Sequence, residues 1–172
     1  MPDSKVSILD QQAISARLRR MAYEIYEANY KEQELILIGI DERGGYLSKQ
    51  LCEHLNGISS LTISLINARL DRETDPKGIG IELSIDSIDE LKEKVVLVVD
   101  DVLYSGFTML NVVSILLQAG ACSIQTATLI DRGHRKMPVS PDFVGLELAT
   151  TIHQHVMVAI NENTDHIEVF LV

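Results

Sequence analysis

Residues 95–108, VVLVVDDVLYSGFT, hold the densest set of groups able to do chemistry. An apolar run ends in two carboxylates, Asp100 and Asp101, and a short loop, Tyr104, Ser105, Gly106, Phe107 and Thr108, then opens a helix. Adjacent aspartates at the carboxyl end of a strand can accept hydrogen bonds from the vicinal hydroxyls of a sugar. They also lie near any divalent cation that the sugar's phosphates bring. The loop can hold a phosphate through backbone N–H groups, the Ser105 and Thr108 hydroxyls and the positive end of the helix, with Gly106 allowing close approach. It lacks the Gly-x-x-x-x-Gly-Lys pattern of a Walker loop and places acids ahead of the loop. A lone Asp-Asp pair or a lone Ser-x-x-Thr would read as a strand end and a helix start. The composite points to ribose phosphate.

Other segments offer weaker chemistry. Asp41-Glu42-Arg43-Gly44-Gly45 follows a buried run and reads as a compact turn, in which an arginine is well placed for a departing anion. A planar base needs one apolar face and a few fixed donors and acceptors. Asp131-Arg132-Gly133-His134-Arg135 and Pro141-Asp142-Phe143-Val144-Gly145 can supply both. Taken alone, Arg132 and Arg135 read as a solvated surface pair and His134 as a turn histidine without a role. His153 and His155 share one strand face, a spacing that permits metal binding, with no third ligand in view. Cys52 and Cys122 have no Cys-x-x-Cys spacing, so they are expected to be buried small apolar residues rather than a disulfide or a thiolate metal site.

The elements that must position these groups follow from hydrophobic period. Asp10 to Tyr30 carries Ile14, Leu18, Met21, Ala22 and Ile25 at helical steps. Leu35 to Ile40 is a continuous apolar run, as a parallel strand covered on both faces requires. Leu47, Leu51 and Leu55 place a helix over Tyr46 to Leu55, and Ser60 to Ile66, Val95 to Val99 and Ser123 to Ile130 read as strands. Met109, Leu110, Val113, Ile115, Leu116 and Leu117 describe a helix from Thr108 to Gln118, ended by Gly120. Asn67 to Glu82 mixes charges, a proline and glycines, as a mobile functional loop or a hairpin arm would. Phe143-Val144, Val156 to Ile160 and Ile167 to Val172 suggest a small irregular cap closed by a hairpin. Strands alternating with helices in this order predict an α/β fold with a mostly parallel sheet, whose ligands sit at the carboxyl ends of the strands.

Composition narrows the function classes. The chain has 172 residues, 46% hydrophobic and 23% charged, which suits a single globular domain. Its net charge of −10 opposes general binding to nucleic acid. No apolar run reaches a membrane span, and the start MPDSKVSILDQQ has neither a basic nor an apolar leader region, so a cytoplasmic protein is expected.

The chain resembles the type I phosphoribosyltransferases, and within them the bifunctional pyrimidine operon regulator and uracil phosphoribosyltransferase family. The resemblance is carried by Ile8 to Ile14, Leu37 to Ile40 with Arg43-Gly44, Asp100 to Gly106, Asp131 to Arg135 and Asp142 to Gly145; only Asn67 to Lys94 matches poorly. It implies one phosphoribosyltransferase domain over residues 1–172, with a flexible loop at about 67–82 and a small C-terminal hood built mainly from about 138–172. By the same resemblance, Asp100 and Asp101 hold the ribose hydroxyls of 5-phosphoribosyl 1-pyrophosphate (PRPP), and Tyr104, Ser105, Gly106, Phe107 and Thr108 hold its 5-phosphate. Glu42, Arg43 and Gly44 wrap the pyrophosphate, with Arg43, Asp100 and Asp101 as the catalytic set. Magnesium arrives with PRPP near Asp100 and Asp101. Asp131, Arg132, Phe143 and Val144 form the nucleobase wall.

The implied activity is transfer of ribose 5-phosphate to a nucleobase, uracil in the first instance, by a homodimer or higher oligomer. A purine or xanthine enzyme, or a messenger-RNA-binding regulator, are the alternatives. Tyr104 stands where 6-oxopurine enzymes of this fold usually have a carboxylate, which favours a pyrimidine. Two departures remove positive charge near the phosphates: Asp41 replaces a usual basic residue and Phe107 a usual Arg or Lys. RNA binding is not expected. The first helix carries Arg17, Arg19 and Arg20 but has Tyr23 and Ala28 where the family tends to have a histidine and an arginine.

Overall fold

The computed structural model describes residues 5–71, 80–151, 154–161 and 163–172. Its elements are β1 (Val6–Leu9), α1 (Gln11–Ala28), β2 (Glu34–Ile40), α2 (Asp41–Ile58), β3 (Thr62–Asp71) and β4 (Gly80–Leu83). After a short 3-10 turn come β5 (Val95–Leu103), α3 (Phe107–Gln118), β6 (Ser123–Asp131), β7 (Phe143–Glu147), β8 (Val156–Asn161) and β9 (His166–Leu171).

The continuous apolar character of β2 and β5 has a direct cause, since their alternate side chains enter two separate cores. Leu35 and Leu37, with Val95, Leu97 and Val99, pack under the apolar stripes of α1 and α2. Ile36 and Ile38, with Val96 and Val98, pack under Met109, Val112 and Leu116 of α3. The α1 stripe is the one its period predicts, Ile14, Leu18, Met21, Ala22 and Ile25, and Asp10 caps the helix by accepting the Ala13 N–H at 2.8 Å. In α3 the buried stripe is narrower than predicted, because Leu117 points outward. Gly120 ends that helix region with a φ of 80°.

The six-stranded sheet has the order β4-β3-β2-β5-β6-β7, with β3, β2, β5, β6 and β7 parallel and β4 antiparallel. The chain passes outward from β2 to β3, returns, and passes the other way from β5 through β7. The carboxyl ends of β2 and β5 therefore flank the point where strand order reverses, where open sheets of this kind hold ligands.

Several sequence expectations are corrected. Residues 41–45 form no turn, since α2 begins at Asp41 directly after β2, with Asp41 itself at φ 52°. β5 does not stop at the acids but runs through them to Leu103, because β6 continues to pair with it as far as Leu103↔Asp131. β3 extends past Ile66 to Asp71 and pairs with β4, so the described ends of the 67–82 stretch form a hairpin arm, while residues 72–79 lie outside the described residues. The hood is differently composed. β7 belongs to the main sheet, and β1 from the other end of the chain joins β8 and β9 in the three-stranded hood sheet. Cys122 is exposed on the approach to β6 and Cys52 only half-buried beside the α2 stripe, so neither is the core residue expected. Among the described residues no helix is long and apolar enough to cross a membrane.

Candidate active site

Close backbone approach at the sheet's midline builds the cleft. A Cβ added to Gly44 would lie 2.5 Å from the Val99 carbonyl oxygen, and one on Gly39 would lie 2.5 Å from the Gly45 Cα. Only glycine lets the first turn of α2 sit this close to β2 and β5. The positive φ of Asp41 turns the chain from strand to helix in one residue, and its Oδ1 accepts the Leu70 N–H of β3 at 3.0 Å. The start of α2 is thus tied to both neighbouring strands, and Arg43 projects from it with more than half its side chain exposed.

Pairing between β2 and β5 ends at Gly39↔Val99. Beyond that point the carboxylates satisfy the freed amides, since Asp100 Oδ1 accepts the Asp101 N–H and Asp101 Oδ1 the Val102 N–H, both at 2.9 Å. The two acids open a gap between the strands and border it at once. The resulting cleft, about 730 Å³, is lined by Asp41, Glu42 and Arg43, by Asn67 and Arg69 of β3, by Asp100 and Asp101, and by Thr108 of α3. Arg43 lies 3.5 Å from Asp101 Oδ2. Burial, and then the Asp101 carboxylate, hold the Asp100 carboxyl well above the usual carboxylate range, and Asp41 adds to the effect.

The loop after β5 passes into α3 through a left-handed glycine. Gly106 caps α3 at φ 80°, and Ser105 Oγ accepts the Phe107 N–H at 3.3 Å. Tyr104 and Phe107 are partly exposed.

The predicted nucleobase wall divides. Asp131 is buried at the end of β6, where it accepts the Gly133 N–H at 2.9 Å and pairs with Arg135. Arg132 is 5% exposed, so it is no surface residue. It donates to the Thr150 hydroxyl at 3.0 Å and to the Gln154 carbonyl at 2.6 Å. Phe143 is placed elsewhere. It packs in the α1-side core, level with Ala127 and four residues below Asp131 along the sheet. The Val144 carbonyl accepts from Arg20 at 2.9 Å rather than lining the cleft. His155 pairs through its backbone with Val172, and His153 lies outside the described residues. Arg69 and Asn67 escaped the sequence reading. The alternation Ile66, Ala68, Leu70 was the available signal, since it carries β3 onward and puts Arg69 at its carboxyl end.

A model described as the phosphoribosyl transferase domain matches residues 5–163. The chain belongs to the phosphoribosyltransferase family. Its relatives include the bifunctional protein PyrR of Bacillus pumilus, 37% identical over 171 residues, covering 93% of each chain. The bifunctional protein PyrR of Bacillus subtilis is also 37% identical over 171 residues, covering 93% of this chain and 92% of its own. Among solved structures, the hypoxanthine phosphoribosyltransferase of Trypanosoma cruzi superposes with a TM-score of 0.74 at 16% identity, covering 95% of this chain and 94% of that one. That of Staphylococcus aureus gives 0.74 at 16%, with 96% and 92% covered. The likeness to these structures establishes the type I fold. Within the family the cleft at the β2/β5 reversal is the candidate active site.

Proposed function

We propose that the chain transfers ribose 5-phosphate from PRPP to uracil, giving UMP and pyrophosphate. The observation that carries this reading is that Asp100, Asp101, Arg43 and Thr108 at the start of α3 line one cleft, with Arg43 3.5 Å from Asp101. In the reaction, a bond forms between N1 of the base and C1 of the ribose. The bond from C1 to the pyrophosphate oxygen breaks, and the N1 proton is lost. Such chemistry needs positioning and charge stabilisation more than a side-chain nucleophile. Asp100 and Asp101 accept the ribose hydroxyls. The Ser105 and Thr108 hydroxyls, with the amides at the α3 start, hold the 5-phosphate. Arg43 meets the departing pyrophosphate.

The donor set fits a magnesium ion. Two adjacent, partly buried carboxylates joined to substrate phosphate oxygens are the usual protein share of such a site. Among the described residues no cluster of three or more His, Cys, Asp or Glu offers a site made by the protein alone. Asp100 and Asp101 would hold the ion, which when bound stabilises charge on the pyrophosphate. The opposed charges of the cleft favour a donor that brings its own cation, because Asp41 and Glu42 stand beside Arg43.

Tyr104 supports a pyrimidine, since the loop has no carboxylate where 6-oxopurine enzymes of this fold carry one. A spectrophotometric screen of uracil, hypoxanthine, guanine, xanthine and adenine, each with PRPP and magnesium, tests the reading. Consumption of uracil alone is expected. Turnover of hypoxanthine or guanine instead would assign the site to purines.

A further inference from the structure

Segment 131–137 grips the loop after β5 on one side and Thr150 and Gln154, between β7 and β8, on the other. Toward the loop, Lys136 and Met137 donate their backbone N–H groups to the Ser105 carbonyl at 2.9 and 3.0 Å. A trans peptide holds its C=O and N–H on opposite sides. Fixing the Ser105 carbonyl therefore turns the Gly106 N–H away from the Lys136 and Met137 amides. The Arg132 guanidinium also lies 4.4 Å from the Tyr104 ring centroid, and the His134 ring stands edge-on to Tyr104 at 6.2 Å.

Toward the hood, the same guanidinium donates to the Thr150 hydroxyl and the Gln154 carbonyl, with a longer bond of 3.4 Å to the Thr151 carbonyl. His134 Nε2 meets the Thr150 carbonyl. Among the described residues these partners of Arg132 are neutral oxygens and a ring face. A buried cation held in this way does not serve as half of an ion pair. Its planar fork and flat face connect the loop after β5 with the segment between β7 and β8.

We propose that Arg132 is a positioning residue that couples the phosphate loop to the hood, so that a ligand held by residues 104–108 stiffens Thr150, Gln154 and strands β8 and β9. The proposal rests on reading residues 104–108 as the ribose 5-phosphate cradle. A ligand bonded to the outer side of the Ser105-Gly106 peptide stiffens the inner side that Lys136 and Met137 hold. The stiffening passes through Tyr104 and Arg132 to Thr150 and Gln154, and no change of shape is needed. Coupling of this kind is reciprocal, so a ligand seated under the hood tightens the loop.

Hydrogen–deuterium exchange of the β8 and β9 amides in the full chain, with and without saturating ribose 5-phosphate, tests the coupling beside calorimetric titration of the same ligand. In the parent, ribose 5-phosphate is expected to slow this exchange by about threefold or more. Tyr104→Phe keeps the ring face and is expected to keep the slowing, whereas Tyr104→Leu loses most of it. Arg132→Lys keeps the charge but not the fork, and loses the slowing too. Thr150→Val removes one hydroxyl at nearly constant volume, and it is expected to bind ribose 5-phosphate while losing at least half of the slowing. Full slowing in Thr150→Val, or none in a parent that binds the ligand, overturns the coupling and leaves the cradle reading standing. Failure of the parent to bind ribose 5-phosphate overturns the cradle reading and the proposal with it.

Discussion

At the residue scale, the acids of the cleft set a cost to stability. Burial and the Asp101 carboxylate raise the Asp100 carboxyl. An acid raised in this way holds more protons folded than unfolded. Its contribution to stability is present below the ordinary aspartate value, about 3.9, and is lost as pH rises through the raised one. Asparagine does not ionise. Asp100→Asn is therefore expected to raise Tm near neutral pH, with the gain shrinking toward about pH 4. The same change is expected to weaken PRPP binding by about tenfold, the size of one charge-assisted hydrogen bond. Calorimetric melting across that pH range, with titration of PRPP, checks both. A gain in Tm that stays flat with pH would place its cause outside the ionisation of Asp100.

At the scale of elements, the critical contact lies between the first turn of α2 and β5. Gly44 has no room for a methyl group, since its Cβ would sit 2.5 Å from the Val99 carbonyl oxygen, a backbone atom that cannot swing aside. Gly44→Ala is expected to destabilise by about 1–3 kcal/mol through overpacking. It should also weaken PRPP binding by displacing Arg43. Gly57, on the same helix, has nothing within 4 Å of an added Cβ. Gly57→Ala should instead stabilise by about 0.5–1 kcal/mol through helix propensity alone. Urea unfolding of the two variants separates close approach from propensity, and equal shifts of the same sign would dismiss the contact as the determinant.

At the scale of the whole molecule, electrostatics bear on the nucleic-acid alternative. A regulator bound to a leader RNA needs about one Lys or Arg for each phosphate it neutralises. The net charge is −10, and the α1 arginines are partly committed within the fold. Arg20 pairs with Glu24 and donates to the Val144 and Gly145 carbonyls of β7, while Arg17 donates to the Ala13 carbonyl. No specific binding to a pyrimidine-operon leader is expected at physiological salt, with or without UMP. Gel-shift titration against the organism's own leader checks this. Binding at nanomolar protein that depends on a uridine nucleotide would restore the regulator reading.

The central strands β2, β5 and β6, the amphipathic stripes of α1 and α2 and the contiguous acid-acid-loop segment were legible in the amino-acid sequence. These are local matters: hydrophobic period selects helix or strand, and the composite at 100–108 is contiguous in the chain. Boundaries were misread wherever a partner strand decided them. β5 continues through Asp100 and Asp101 because β6 pairs there while β2 has stopped, and β3 outruns its apolar stretch because β4 returns along it. Side chains whose setting comes from distant residues were the other loss. Arg132 looks solvated until Thr150 and Gln154 close over it, and Phe143 looks like a pocket wall until β7 takes its place in the main sheet. The hood gains a strand from residues 6–9 because β9 leaves an edge free for it. Pairing across so many residues leaves no periodic trace in either segment, so only the tertiary structure could decide it.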